Sequence, residues 1–383
     1  RVPLLMRWPE MIDSDSRLKA GTSTDIVVDV TDLLPTFCDL AGIKPPLGVD
    51  GVSIAPTLTG SGTQRPRDFI IHEAGNGQSI IKGDYKLIRS KNSLQLYNLS
   101  VDRSEKNDIA KAHPEMVKSL EHLLLGERVD EPRGFANTYH RWTGKDGALT
   151  SDAKHWSDYV YANAGITYTS DTGAPQLSWV AKVENTGKTP NAARVDGDLQ
   201  VLALEVTGNA SSGATQSVVL DKHAELVGRN EIRVGDHGVL SLDDASVSTL
   251  RWIDVTDGGA LTGSGKVDGT IYNDGKVSVA SDRDASLKVA ADYCQSPSGN
   301  LSVVANATGA PSLEIEGSAE LSGRLSVSTT MSFQPKPGET FTVLTASSMT
   351  GRFDNLEDEV VGDDGTRFHI EYFERSVTIT AVS

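Results

Sequence analysis

Cysteine is nearly absent, with only Cys38 and Cys294 among 383 residues. They stand far apart in sequence, so no disulfide framework is expected to staple the chain. Aromatic residues make up only 6%, so small and branched side chains must fill most of the interior. No apolar run reaches the roughly 18 residues that cross a bilayer as a helix, and no transmembrane segment is expected. The opening Arg-Val-Pro-Leu-Leu-Met-Arg-Trp-Pro lacks the charged, apolar and small-residue succession of a signal peptide. It starts at Arg1 rather than Met and reads as a strand entered midway, so upstream sequence is expected.

Positive charge is scarce in the second part. Of 36 Lys+Arg and 52 Asp+Glu, residues 1–150 hold 19 and 20, which leaves 17 and 32 for residues 151–383. An acidic tail disfavours nucleic acid or an anionic membrane as its partner. The length allows two or three domains, and two composition regimes imply two kinds.

What is present in the front part is a mixed α and β pattern. Residues 2–8 form an apolar run closed by Pro9, a candidate buried strand. Val30, Leu33, Leu34, Phe37 and Leu40 recur at helical spacing, with Asp29 or Thr31 to cap the start and Gly42 to end it. Pro35 falls early enough for a first turn. A short helix through Ile54 to Leu58 stops at Gly60. Strands are predicted over Phe69–Glu73, Gln78–Lys82, Tyr85–Arg89 and Leu94–Leu99, separated by turn residues such as Asn76-Gly77 and Gly83-Asp84. Pro114 opens a helix whose Val117, Leu120, Leu123 and Leu124 share one face. A small antiparallel sheet covered by one amphipathic helix follows, with Trp8 and Tyr97 expected in the core and Arg103 and Lys106 on the surface.

Five strings in one order carry a resemblance. They are Arg1-Val2-Pro3; Asp32-Leu33-Leu34-Pro35-Thr36 with Leu40-Ala41-Gly42-Ile43; Asp50-Gly51-Val52-Ser53 through Leu58-Thr59-Gly60; Lys82-Gly83-Asp84-Tyr85-Lys86-Leu87-Ile88; and Leu96-Tyr97-Asn98-Leu99 with Asp102, Glu105, Asn107 and Ala110. This succession resembles the C-terminal part of type I, formylglycine-dependent sulfatases. The resemblance implies a subdomain beside the main sheet of an α/β hydrolase, able to supply one wall of the substrate cleft. It also implies calcium and formylglycine as cofactors of the full-length enzyme, and sulfated carbohydrate or aryl sulfate as substrate.

The catalytic parts that the resemblance implies are not in this sequence. Formylglycine forms in a Cys/Ser-x-Pro-x-Arg motif, whereas Cys38 is followed by Asp39-Leu40-Ala41 and Cys294 by Gln295-Ser296-Pro297. The calcium carboxylates of the family would lie before Arg1. No catalytic residue and no metal ligand is therefore assigned here, and this chain alone is expected to be inactive. His72 and Glu73, where a strand meets a Gly-rich turn, are the candidate substrate-binding residues, because cleft residues often sit where strands run into loops. The bland alternative is a pair of solvated strand-end side chains. Lys82, Lys86 and Arg89 could attract an anionic substrate, although alternating charge on an edge strand more often guards against aggregation. Cys38 reads as inert core packing.

Residues 126–150 turn polar and Gly-rich and read as a linker. An aromatic cluster follows, Tyr139, His140, Trp142, His155, Trp156, Tyr159, Tyr161 and Tyr168, which either stacks on sugars or caps the β region. Capping is the favoured reading. Beyond residue 175 short runs such as Leu199–Val206, Ser217–Leu220, Val239–Leu242, Leu250–Val255, Thr270–Tyr272 and Lys276–Val279 recur between Gly, Asn and Asp. Such recurrence suits a solenoid. Leu261-Thr262-Gly263-Ser264-Gly265-Lys266-Val267 and Ile271-Tyr272-Asn273-Asp274-Gly275 resemble autotransporter-type β-strand repeats, which occur in extracellular bacterial proteins. Asp236-His237-Gly238 and Asp363-Asp364-Gly365 lack the spacing of calcium loops and read as solvated turns.

The expected fold is thus an α+β sulfatase C-terminal subdomain over 1–130, a linker and aromatic cap over 131–170, and an all-β, β-helix-like solenoid over 171–383. The expected function is that of the C-terminal fragment of a secreted or cell-surface bacterial sulfatase, whose tail is a spacer or contacts a cell surface or polysaccharide. The alternative is a non-enzymatic extracellular adhesin or carbohydrate-binding solenoid with a vestigial sulfatase segment. Sequence lying upstream in the gene would discriminate between them.

Overall fold

The computed structural model describes residues 4–8, 21–43, 45, 49–60, 62–74, 77–90, 93–126, 138–158, 175, 177, 179–279, 286–306, 312–330 and 333–382. Arg1–Pro132 and Arg133–Ser383 form two compact units.

In the first unit a 3-10 turn, Val30–Asp32, runs into α1, Leu33–Leu40, followed by α2, Ala55–Thr59. Four strands then form an antiparallel meander: β1 (Ile70–Ala74), β2 (Gly77–Lys82), β3 (Tyr85–Ser90) and β4 (Ser93–Asn98). Each connection is only a few residues long, so neighbours in sequence are neighbours in the sheet. The helix α3, Pro114–Gly126, covers one face, where Leu120 and Leu124 pack on Ile80, Leu87 and Leu96. Period-two alternation puts those three strand residues on one side, and register holds Ile80 beside Leu87 and Leu87 beside Leu96.

Two expectations fail in this unit. Residues 4–8 form no strand, and Leu4, Leu5 and Met6 are exposed, with Trp8 only partly buried. No described strand pairs with them, and an unpaired strand has no ladder to hold it. Val2, Pro3 and Pro9 lie outside the described residues. The helix α1 exists, but part of its apolar stripe faces outward: Leu34 is 50% exposed, Phe37 56% and Val30 of the preceding 3-10 turn 76%, whereas Leu33 and Leu40 are partly buried. The buried side carries Asp32, Pro35, Thr36 and Cys38 instead.

Polar chemistry explains that inversion and the recurring motif residues. Asp32 is 1% exposed; its Oδ1 accepts from the Val52 N–H at 2.7 Å and its Oδ2 from the Asp29 N–H at 2.8 Å. Arg67 donates to the same carboxylate. The Thr36 hydroxyl donates to the Asp32 carbonyl at 2.6 Å and accepts from the Ile54 N–H at 3.0 Å. Gly51 passes so close that an added Cβ would stand 2.0 Å from the Thr31 carbonyl oxygen, which only glycine tolerates. The Asp-x-x-x-Thr and Asp-Gly strings are therefore a staple between α1 and the segment before α2. Likewise Asp102 accepts from the Lys106 and Asn107 N–H groups, and Asp108 Oδ1 from those of Leu96 and Ala110.

The second unit is a three-faced parallel β-solenoid. Its first face stacks Thr138–Trp142, Trp179–Glu184, 203–207, 231–234, 252–255, 270–273, Tyr293–Gln295, Ser318–Leu321 and Ser348–Gly351. The second stacks Ala148–Leu149, Asn191–Val195, Gln216–Leu220, 238–242, 260–263, Lys276–Val279, Asn300–Ala305 and Arg324–Thr329. The third stacks 198–201, 225–228, 246–248, 265–267, Leu287–Val289, Leu313–Ile315 and 344–345. Alternate residues of each strand point inward and stack in columns, as with Leu204, Ile232, Ile253, Ile271, Tyr293 and Ala319. Short runs in the sequence are longer strands here, because Gly238–Val255 and Ala260–Asn273 each turn corners without leaving the ladder. Gly263 stands at such a corner, with φ +107° and its missing Cβ aimed at the Leu242 carbonyl oxygen.

Both ends are closed. The last turn gives way to an antiparallel sheet in which Ser376–Ala381 lies between Thr340–Thr345 and Arg367–Tyr372, with Glu359–Val361 outside the latter. At the other end Thr138–Trp142 pairs antiparallel with Trp156–Asp158. Trp142, Trp156 and Trp179 are buried in the solenoid core, with successive edge-to-face rings 5.3 and 5.8 Å apart. His140 stacks on Trp179 at 3.4 Å. These rings fill the end of the coil and offer no flat surface to a sugar. Tyr159, Tyr161, Tyr168 and the side chain of Tyr139 lie outside the described residues.

Candidate functional site

His72 and Glu73 are neighbours on β1, so the pleat sends them to opposite faces of the sheet. Glu73 lies on the side covered by α3. Its carboxylate accepts from Gln78 Nε2, Gln78 Oε1 accepts from Arg89 at 3.0 Å, and Arg89 reaches Glu121 of α3 at 3.5 Å. That chain ties sheet to helix and occupies every charged group in it. His72 lies on the other face with its side chain 53% exposed, and its Nε2 stands 2.8 Å from Asp29 Oδ2. The two candidate residues are thus not brought together.

The cations resolve similarly. Lys86 is on β3, an inner strand rather than an edge, so protection of an edge is not its role; it pairs with Glu105 at 2.8 Å. Arg89 belongs to the Glu73 chain, and Lys82, on β2, makes no ion pair among the described residues. Tyr97 is buried on the Lys86 side, and burial pushes its hydroxyl pKa up, with the Asp108, Glu105 and Asp102 carboxylates adding to the shift.

What remains as a site is the pair His72–Asp29 at the solvent end of β1. Burial alone would raise the Asp29 pKa, but hydrogen bonds from the Thr31 N–H, from His72 and from the Thr31 hydroxyl outweigh it and hold the carboxyl below its usual range. The fixed carboxylate orients the imidazole through Nε2 while the side chain stays half exposed, an arrangement suited to binding a ligand. Asp29, Asp32 and Arg67 were missing from the expected site. The legible signal was Asp29-Val30-Thr31-Asp32, whose spacing closes a capping box.

Among the described residues nothing fits the calcium and formylglycine implied for the full-length enzymes. Among the described residues no group of three or more His, Cys, Asp or Glu could hold a metal ion. Cys38 is buried in α1 and Cys294 lies on a solenoid strand, neither in a Cys-x-Pro-x-Arg context. Asp236 pairs with its neighbour His237 at 2.6 Å, and Asp364 accepts from Thr329 and Thr366, so both acidic clusters serve turns.

With this geometry described, comparison with known proteins gives a consistent picture for the first unit. Residues 1–130 match the family model described as N-sulphoglucosamine sulphohydrolase, C-terminal. The chain is 30% identical over 145 residues to an N-acetylgalactosamine-6-O-sulfatase of Bacteroides thetaiotaomicron, covering 32% of this chain and 26% of that protein. It is 29% identical over 153 residues to an N-acetylglucosamine-6-O-sulfatase of the same organism, covering 34% and 26%. It is 27% identical over 178 residues to arylsulfatase K of Rattus norvegicus, covering 42% and 30%. The chain spans little more than a quarter of the length of these relatives. The findings support a sulfatase C-terminal segment followed by a β-solenoid.

Proposed function

We propose that this chain is the C-terminal part of a secreted bacterial sulfatase acting on sulfated carbohydrate or aryl sulfate, with its solenoid as a surface-attachment or spacer tail of autotransporter-repeat type. The observation that carries the reading is the match of residues 1–130 to a sulfatase C-terminal family model, together with the staple by which the matching motifs hold α1. The outward apolar stripe of α1, Val30, Leu34 and Phe37, continued by Ile43 at 61% exposure, supports the same reading. A helix that turns its apolar side to solvent needs another surface to cover it, and the catalytic part of a sulfatase would do so. In this reading His72, oriented by Asp29, is a substrate-binding residue of that cleft, while Glu73 is engaged through Gln78 and Arg89 toward α3.

The test compares the 383-residue chain alone with the same chain joined to the sequence that precedes it in its gene. Both are supplied with calcium and a formylglycine-generating system. Hydrolysis of aryl sulfate or sulfated sugar is expected from the joined protein and not from the chain alone. Turnover by the chain alone, or none by the joined protein, overturns the reading. In the joined protein His72→Ala should raise KM several-fold with a smaller effect on kcat, because it removes binding rather than the reacting groups.

A further inference from the structure

The three faces of the solenoid end differently on the C-terminal side. On the third face, residues 344–345 are taken up by Ser376–Ala381, so the ladder there runs on into the antiparallel sheet. On the first face the last strand, Ser348–Gly351, is only 4 residues long and stops where Gly351 turns to a φ of +74°. On the second face the last strand is Arg324–Thr329, 6 residues long; among the described residues it pairs with Asn300–Ala305 and with no strand on its other side. An unpaired edge of that length is a template for pairing with another chain.

The bonds made toward the preceding coil show which backbone groups face the open edge. The Arg324 N–H donates to the Gly299 carbonyl at 2.9 Å and that of Thr330 to the Ala305 carbonyl at 3.2 Å. Alternation along the strand therefore turns Leu325, Val327 and Thr329 toward the edge. Residues 354–364 meet that edge with side chains rather than with a ladder. Asn355 Oδ1 accepts from the Leu325 N–H at 2.9 Å, and its Nδ2 donates to the Leu325 carbonyl at 3.0 Å. One side-chain amide thus makes both bonds that the backbone of a next strand would make. Asp354 accepts from the Gly323 N–H at 2.7 Å at one end of the strand, and Asp364 from the Thr329 hydroxyl at 2.8 Å at the other. Between these anchors Glu357 and Asp358 hold φ values of +57° and +54°. Such left-handed backbone breaks the extended run that would let the segment itself serve as the next strand. Six of residues 354–364 are Asp or Glu, and two such segments brought together repel each other.

We propose that Asn355, with Asp354 and Asp364, is a plug on the open edge of the second face, and that it keeps Arg324–Thr329 from pairing with the same strand of a second copy of this chain. The partner kept out is a second copy because two identical strands, set antiparallel about a two-fold axis, satisfy both open edges at once. The short Ser326 and Ser328 side chains put no bulk in the way of that approach. The edge belongs to the solenoid alone, so its closure does not depend on the sulfatase reading.

Sedimentation velocity of the whole 383-residue chain over a range of concentrations measures the association, in raised salt so that the carboxylates are screened. D354A/N355A removes three bonds to this end of the coil and should raise the association constant at least about tenfold over the unaltered chain. Adding Ser328→Lys, which puts a lysine on the edge strand itself, should return it to within about twofold of the unaltered value. Hydrogen exchange at low concentration reads the plug directly: the Leu325 amide should be protected in the unaltered chain and exchange faster in Asn355→Ala. Should D354A/N355A disturb the tryptophan fluorescence of the solenoid, Asn355→Ala alone carries both measurements. An association constant that removal of the plug leaves unmoved overturns the proposal. So does a rise that Ser328→Lys leaves standing, because the contact then lies on another surface, and so does a Leu325 amide that exchanges equally fast with and without Asn355.

Discussion

Asp32 shows how one side chain can fix a loop, a helix start and a partly buried cation together. Its carboxylate takes two backbone N–H groups and Arg67, in a place 1% exposed. Asp32→Ala would remove the acceptor that Arg67 and both N–H groups share. A loss of about 3–5 kcal/mol, the usual cost of breaking a buried pair from one side, is expected for the first unit in urea unfolding. Asp29 works on a smaller scale and by pH. Because its pKa is lowered in the fold, its contribution is complete above the unfolded value of about 3.9 and is lost as pH falls through the folded value. The hold on His72 should therefore release only in acid, and the ring resonances of His72 followed by NMR should report it. Asp29→Asn should abolish that acid-dependent step. Its effect on stability is expected to stay below about 1 kcal/mol, since the His72 partner is half exposed.

Among elements, the antiparallel strands of the first unit were legible because tight turns flank them and each strand alternates. The observed bounds fall within a residue or so of Phe69–Glu73, Gln78–Lys82, Tyr85–Arg89 and Leu94–Leu99. The helix α1 was legible as a helix, with Cys38 in its buried side as read, but the exposure of Leu34 and Phe37 was not legible, because periodicity locates an apolar stripe without saying what covers it. The pair His72–Asp29 was half visible: strand position gave the histidine, but its partner is 43 residues away in sequence and local pattern cannot supply such contacts. In the solenoid the columns were out of reach for the same reason. One column runs Val206, Val234, Val255, Asn273, Gln295, so two amides replace valines inside the core. Tyr293 makes this tolerable. Its hydroxyl donates to Gln295 Oε1 at 2.6 Å and accepts from Asn273 Nδ2 at 2.9 Å, and the small Ala319 in the next turn leaves room for the ring. Burial drives the Tyr293 pKa upward, so the hydroxyl remains a donor throughout the neutral range. Tyr293→Phe should cost about 1–3 kcal/mol, because each of the two buried amides loses one of its partners. Ala319→Leu should cost a similar amount by overpacking. Urea midpoints of the solenoid signal check both.

For the whole molecule the two cores share no residue: Ile80, Leu87, Leu96, Leu120 and Leu124 form one, and the stacked columns with the three tryptophans form the other. The two also differ in kind. The first is a single small cluster whose loss takes the sheet and α3 with it, so Leu87→Ala should cost about 2–5 kcal/mol. The second is a succession of similar layers, each buried by its neighbours, and its stability is distributed along the coil. Two unfolding transitions are therefore expected in urea, reported by different signals. Trp142, Trp156, Trp179 and Trp252 all belong to the solenoid unit, so tryptophan fluorescence chiefly follows that one, while helical circular dichroism follows α1 and α3. Leu87→Ala should move the helical transition and leave the fluorescence midpoint within error, and Tyr293→Phe should do the reverse. A single coincident transition, shifted equally by both substitutions, would show that the units fold as one and that the sulfatase-like segment draws its stability from the solenoid.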